Sequence, residues 1–165
     1  MYLLPKTKTI KEQDGQMLLC HSTHIVMTKE VAETEMHAAK RLQEAIRQET
    51  GLILPFSVGE VREGDLSLGI AKTLPEQTYE ITIDEKGGQI SGGDGAGVLY
   101  GVETFCQIVQ QCGGILPCVQ IQDAPDMPNR GYYFDQTRGR VARIQEETVT
   151  TFPFRVLRVI LQILC

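Results

Sequence analysis

The chain has 165 residues, and its 42% hydrophobic and 22% charged residues are normal for a soluble globular protein, which excludes disordered and fibrous classes. The net charge of -5 comes from 21 acidic and 16 basic residues, and the basic ones are scattered, so we expect no nucleic-acid partner. The sequence has neither an apolar run long enough to cross a bilayer nor a signal peptide at its start. We therefore expect a cytoplasmic protein without a membrane partner.

The cysteines and histidines do not form a recognised disulfide framework or metal site. The five cysteines make an odd number without any C-x-x-C pair, and the three histidines are not spaced as metal ligands. They are Cys20, Cys106, Cys112, Cys118 and Cys165, with His21, His24 and His37. We expect no metal and no cofactor, and we expect Cys106 to be a small buried hydrophobic residue.

The chain opens with a predicted hairpin. Extended-type segments at 8–12 and 17–20 flank Asp14-Gly15, and an Asp-Gly pair supplies the positive φ of a tight turn. A short strand is expected next, at 24–27.

Two segments predict helices. Apolar residues at helical spacing cover about residues 30–50, with Thr28 as a candidate cap upstream and Gly51 as a left-handed stop. A second apolar stripe covers residues 99–109 and ends at Gly113-Gly114.

The remaining elements are predicted strands. Apolar and polar residues alternate over 66–70 and again over 79–83, which indicates half-buried strands that we expect to pair antiparallel. The second of these turns at 84–88 into 89–91, a hairpin fixed by its glycines. Residues 119–121 predict the last strand of the domain.

Two helices and about six strands predict a two-layer α+β domain with a mainly antiparallel sheet. The segment 123–129 contains two prolines and cannot continue a helix or a central strand. We therefore place a domain boundary there, with residues 1–122 as an N-terminal domain and 123–165 as a connector and the start of another. Residues 131–135 predict the buried opening strand of that second domain.

Two motifs that suggest chemistry are better explained as structure. The glycines at 92–97 resemble a dinucleotide loop, but the spacing requires glycine where Val98 stands, which favours a turn that leads into a helix. Adjacent carboxylates at Asp84-Glu85 suggest a glycosidase pair. They fall at a hairpin tip, however, where nothing raises a carboxyl pKa by burial, so a solvated turn is favoured.

The segment around Arg130 leaves two readings open. An arginine at the mouth of a strand offers a fork of donors to vicinal hydroxyls or to a carboxylate. The structural alternative for this segment is a buried ion pair, formed by Asp135 with Arg138 or Arg140. Residue types alone do not decide between binding and packing here.

Three stretches together resemble family-twenty glycoside hydrolases. They are Ile90-Ser91-Gly92-Gly93, then Gly97 to Gln107 with its "G…YG…T…Q" pattern, and Asp123 to Val141 with its "D.P…RG…D..R" pattern. In that family the helix with the "G…YG…T…Q" pattern ends a non-catalytic N-terminal domain. The "D.P…RG…D..R" pattern leads into the first strand of a (β/α)8 barrel. The likeness runs from about residue 9 to 145.

The resemblance implies a retaining exo-β-N-acetylhexosaminidase that removes terminal N-acetylglucosamine or N-acetylgalactosamine. In this family the acetamido oxygen of the substrate is the nucleophile. An Asp steers that group, and the following Glu serves as general acid and base. By motif position Arg130 corresponds to the arginine that binds hydroxyls of the terminal sugar, and Asp135 and Arg138 correspond to packing and ion-pairing positions.

The chain also departs from the family. The family's His-x-Gly-Gly-Asp-Glu segment is absent from the 165 residues, there is no Trp, and the barrel is too short to close, since such a barrel needs about 250 residues. We therefore expect no catalytic residue in this chain and no hydrolase activity. The apolar tail, from Phe154 to Leu164, leaves open an alternative, a stand-alone binding or assembly module that self-associates through that tail.

Overall fold

The computed structural model describes residues 1–127, apart from the side chains at positions 33 and 34. Met1–Pro125 form one compact α+β unit. The strands are β1 (Thr9–Leu18), β2 (Ile25–Met27), β3 (Phe56–Val58), β4 (Leu66–Ile70), β5 (Tyr79–Asp84), β6 (Gly87–Gly92) and β7 (Ile115–Asp123). The helices are α1 (Lys29–Thr34), α2 (Met36–Thr50) and α3 (Gly95–Cys112). The expected boundary after residue 122 stays a prediction, and the expected barrel strand at 131–135 lies outside the described residues.

The seven strands form one sheet in the order β1-β7-β5-β6-β4-β2-β3. The pairs from β1 to β6 are antiparallel, whereas the pairs from β6 to β3 are parallel. The α+β class is confirmed, whereas the expectation of a mainly antiparallel sheet is not, because the sheet is mixed. Strand β4 pairs in parallel with β6 rather than antiparallel with β5, its neighbour in sequence. Alternation along a strand shows which face is buried but does not identify the partner strand.

The predicted first hairpin is wrong. Strand β1 runs continuously from Thr9 to Leu18, and it pairs with β7 at Thr9–Glu12 and again at Gln16–Leu18. Its register shifts between Glu12 and Gln16, and Gly15 has φ 107°. The Asp-Gly pair thus supplies its positive φ to a bulge in one strand rather than to a turn between two.

The second hairpin is confirmed, and the first predicted helix is corrected. Strands β5 and β6 pair antiparallel from Tyr79 opposite Gly92 to Asp84 opposite Gly87. The helix expected at 30–50 is two helices that meet at Glu35, so the described residues hold three helices where two were expected. Thr28 caps α1, since its hydroxyl accepts from the Val31 N–H at 3.4 Å, and Gly51 ends α2 with φ 76°.

Helices α2 and α3 pack on one face of the sheet and enclose the core. Along β5 the side chains of Tyr79, Ile81 and Ile83 are fully buried, while Glu80 and Asp84 on the other face are exposed. Helix α2 is amphipathic and keeps its charged side in water. Helix α3 is buried on nearly all sides from Gly97 to Val109, as expected for a helix that is apolar around its circumference.

One ion pair joins the two long helices. Arg41 Nε of α2 donates to Glu103 Oε1 of α3 at 3.1 Å. The Glu103 side chain is 3% exposed, whereas that of Arg41 is 28% exposed. Burial raises the pKa of Glu103 above its ordinary value, and the charge and hydrogen bond of Arg41 oppose that increase. Arg41 therefore favours the ionised form of a carboxyl group that burial disfavours.

Replacing Arg41 with Met removes the counter-ion of a buried carboxylate. We expect the free energy of unfolding at pH 7 to fall by about 2 kcal/mol, less than for a fully buried pair because Arg41 is partly exposed. Losing Arg41 raises the pKa of Glu103 further. The destabilisation should therefore shrink as the pH falls from 7 towards 4.5, the ordinary value, because Glu103 becomes protonated in both folded proteins above that pH. Urea unfolding of the parent and the variant, at pH 7 and again at pH 4.5, measures this difference in the free energy of unfolding.

Arg47→Met is the matched control on the same helix. Arg47 pairs with Glu44 one turn away, and both side chains are about half exposed. An exposed pair contributes little, so the control should unfold like the parent at both pH values. An equal effect of the two substitutions would show that the Arg41–Glu103 pair has no special role.

Candidate functional site

The substrate-binding residue predicted from the sequence, Arg130, lies outside the described residues, as do Asp135, Arg138 and the apolar tail. Within the described part, the residues that carried the family resemblance lie at the end of β6, on α3 and at the end of β7. We call Tyr79, Thr104 and Asp123 the exit cluster, because they meet where the chain leaves the sheet.

The exit cluster is a buried hydrogen-bond network. The Tyr79 hydroxyl donates to Asp123 Oδ2 at 3.1 Å and lies 2.7 Å from Thr104 Oγ1. Asp123 Oδ1 accepts from the Lys8 backbone N–H at 3.2 Å. Asp123 is 3% exposed, and Tyr79 and Thr104 are fully buried. The network ties together a strand, a helix and the N-terminal segment at the last residue of β7.

The positions of these residues follow from local structure. Tyr79 begins β5 and stands directly opposite Asp123 in the antiparallel ladder. Thr104 reaches Tyr79 because α3 lies close to the sheet at Gly101, where a Cβ would be 2.6 Å from Ile90 Cγ2 and 3.3 Å from Tyr79 Cδ2. The "YG…T" part of the motif is therefore explained by the packing of α3 against β5. Sequence reasoning did not identify this network, although a Tyr at a buried strand position and an Asp at a strand end were visible.

The glycine cluster at 92–97 is a packing turn, as predicted. A Cβ at Gly92 would lie 2.2 Å from the Val98 nitrogen, and one at Gly97 would lie 2.3 Å from the Thr78 carbonyl oxygen. Asp94 caps α3, since its Oδ1 accepts from the N–H groups of Gly97 and Gln77 at 2.7 and 3.0 Å. These donors are already satisfied by a carboxylate, which leaves the turn unsuited to a phosphate.

The other sequence candidates also have structural roles. Asp84 and Glu85 are exposed at the β5–β6 turn, where Asp84 Oδ1 accepts from the Lys86 N–H at 2.8 Å, which confirms the solvated turn. Cys106 is buried at 1% exposure, as predicted, and burial raises the pKa of its thiol. No group of three or more His, Cys, Asp or Glu residues within positions 1–127 could hold a metal ion.

Cys20 has the one thiol of the described residues whose pKa is lowered. Hydrogen bonds from the side chains of Ser22 and then Thr23 lower it to about 7. The Sγ atom lies 3.0 Å from Ser22 Oγ and 3.7 Å from Thr23 Oγ1. Near neutral pH a large fraction is thiolate, the form that reacts with electrophiles. Sequence reasoning assigned no role to this cysteine.

The face of the sheet away from the helices carries a shallow polar groove of about 290 Å³. It runs across β1, β7 and β5, and its charged side chains are Lys11 and Glu80. Its remaining lining residues are Thr9, Ile81, Thr82, Gln120, Ile121 and Gln122. No aromatic ring lines this groove. The described helices include none that is long and apolar enough to span a membrane.

Comparison with known proteins agrees with this description. The family model for glycosyl hydrolase family 20, domain 2, matches residues 1–124. Beta-hexosaminidases of Vibrio furnissii and Porphyromonas gingivalis are 28% identical over 138 and 148 residues, each alignment covering 82% of this chain and 21% and 19% of the relative. The chain spans about a fifth of the length of these relatives.

The fold is shared with solved members of the same family. A glycoside hydrolase family 20 β-N-acetylglucosaminidase of known structure aligns with a TM-score of 0.59 and 30% identity, over 78% of this chain and 23% of that one. The sequence resemblance to family twenty is therefore confirmed for the N-terminal domain.

Tyr79→Phe tests the exit cluster. The substitution keeps the ring but removes the hydroxyl that donates to the buried Asp123 carboxylate. We expect the free energy of unfolding to fall by about 1–3 kcal/mol, because a buried acceptor loses a donor. Urea unfolding followed by far-UV circular dichroism measures the change. Tyr2→Phe is the control, since Tyr2 is 74% exposed, and equal stability of the two variants would contradict the role of the cluster.

Proposed function

The chain belongs to glycosyl hydrolase family 20, and on this premise we propose that it is the N-terminal part of a retaining exo-β-N-acetylhexosaminidase. The single observation that carries the proposal is the family model, which covers residues 1–124 as the domain 2 of that family. The names of the two relatives support the same activity class. The substrate class that we propose is a glycan with a terminal β-linked N-acetylhexosamine.

We propose that the chemistry is substrate-assisted. Members of this family are exceptions to the two-carboxylate scheme, because the acetamido oxygen of the sugar attacks its own anomeric carbon. An Asp orients that group, and the adjacent Glu protonates the leaving oxygen and then activates water. The segment that supplies this pair is absent from the 165 residues. In this proposal residues 1–124 are the family's domain 2, and the catalytic pair comes from outside the given sequence.

The described domain has a supporting role in this proposal. Its exit cluster fixes the end of β7, seven residues before Arg130, the residue that we propose to contact sugar hydroxyls. A buried carboxylate with several donors holds that strand end more firmly than exposed backbone contacts would. The cytoplasmic location expected from the sequence stays a prediction.

The competing hypothesis is a stand-alone module that binds or assembles with other chains. Self-association through the apolar tail stays a prediction, because that segment lies outside the described residues. Static light scattering of the 165-residue chain distinguishes the two. A stable oligomer would favour the assembly module, whereas a monomer without glycan or protein affinity would remove its support.

We predict that the purified chain does not hydrolyse a chromogenic N-acetylglucosaminide, because it lacks the Asp–Glu pair. The control is a full-length hexosaminidase such as that of Vibrio furnissii, assayed at equal molar concentration. Turnover by the chain at a rate near that of the control would refute the proposal of an inactive domain.

The encoding sequence downstream of Cys165 gives a second test of the proposal. Translation in all three frames should reveal a His-x-Gly-Gly-Asp-Glu segment within the length of a barrel, about 250 residues. A downstream sequence that encodes an unrelated domain would instead favour the stand-alone module.

A further inference from the structure

Two glutamines on α3 bind the backbone of the N-terminal segment. Gln107 Oε1 accepts from the Leu4 N–H at 2.8 Å, and its Nε2 donates to the Leu4 carbonyl at 2.9 Å. Gln111 repeats the pattern with Tyr2, since its Oε1 accepts from the Tyr2 N–H at 2.9 Å and its Nε2 donates to the Tyr2 carbonyl. We call Gln107 and Gln111 the glutamine ladder and residues 1–6 the strap.

The ladder matches the repeat of an extended chain. Residues four apart on a helix are separated by about 6 Å along its axis. Residues two apart on an extended strand are separated by about 6.6 Å. Each glutamine amide therefore binds both the N–H and the C=O of one strap residue, as a neighbouring strand would. A further bond from Gln111 Nε2 to the Gln107 carbonyl, at 3.0 Å, orients the second amide.

The strap contacts the rest of the domain through its backbone and through one side chain, that of Leu3. Leu3, between the two clamped residues, is 7% exposed and belongs to the core cluster. Tyr2 and Leu4 point their side chains outward and are 74% and 55% exposed. The ladder therefore recognises main-chain groups, and the core recognises a leucine-sized side chain between them.

We propose that the glutamine ladder is a peptide-binding site on α3 that holds the strap as a separable segment. Its occupant is the chain's own segment 1–6, which supplies Leu3 to the core cluster and leads through Thr7 and Lys8 into β1. The strap then opens and closes on an otherwise folded domain, and the ladder accepts the same segment as a separate peptide.

Limited trypsin digestion tests the opening of the strap. Lys6 is exposed, and cleavage of the Lys6–Thr7 bond releases residues 1–6, which mass spectrometry detects. In the double variant Gln107→Leu, Gln111→Leu this cleavage should accelerate by at least about tenfold, because four hydrogen bonds that oppose opening are lost. Cleavage after Lys86, in the exposed β5–β6 turn, should keep its rate.

The matched control for this digestion is Gln110→Leu, an exposed neighbour on the same helix. If the double variant releases the strap no faster than this control, the ladder does not hold the strap. If cleavage after Lys6 and Lys86 accelerates equally, the ladder supports the whole fold and the strap is not separable. Either result would overturn the proposal.

Binding of the free strap tests recognition directly. A fluorescent peptide of residues 1–6 should bind to the chain that begins at Thr7, and the double substitution in the ladder should abolish binding. Peptide substitutions Tyr2→Ala and Leu4→Ala should leave affinity nearly unchanged, whereas Leu3→Ala should weaken it by at least about tenfold. Failure of the shortened chain to fold, seen by circular dichroism, or a folded chain without affinity would each overturn the proposal.

Discussion

Helix α3 lies very close to β5 and β6. At two positions on the helix, a side chain larger than a hydrogen atom would not fit. A Cβ at Gly97 would lie 2.3 Å from the Thr78 carbonyl oxygen, and one at Gly101 would lie 2.6 Å from Ile90 Cγ2. Real Cβ atoms do not approach so closely, so α3 would have to move outward. That movement would also draw Thr104 away from Tyr79 and Glu103 away from Arg41. The ion pair and the exit cluster thus both depend on the same close contact.

The same close contact explains why the family motif on α3 contains these residue types. Gly101 permits the contact, Thr104 joins the exit cluster, and Gln107 binds the backbone of Leu4. Each of these residues makes contacts inside the domain. A match through this motif therefore identifies the domain rather than the chemistry of the family.

The sequence predicts the helices and strands of this fold better than it predicts which of them pair or contact each other. Periodicity located α2, α3 and the β5–β6 hairpin, because burial of one face is a local property. The turn signal of Asp14-Gly15 was misleading, since a residue with positive φ occurs in a bulge as well as in a turn. The exit cluster and the glutamine ladder join residues more than twenty and more than one hundred positions apart. Such pairs follow from the strand order, which local patterns do not encode.

The pairing of β1 with β7 determines when the sheet can be completed during synthesis. Leu18 pairs with Ile115, so about a hundred residues must be translated between them. At about 5–20 residues per second, β1 leaves the ribosome roughly 5–20 seconds before its partner strand does. Strand β1 therefore lacks its pairing partner throughout that interval, and its backbone is open to capture by a chaperone.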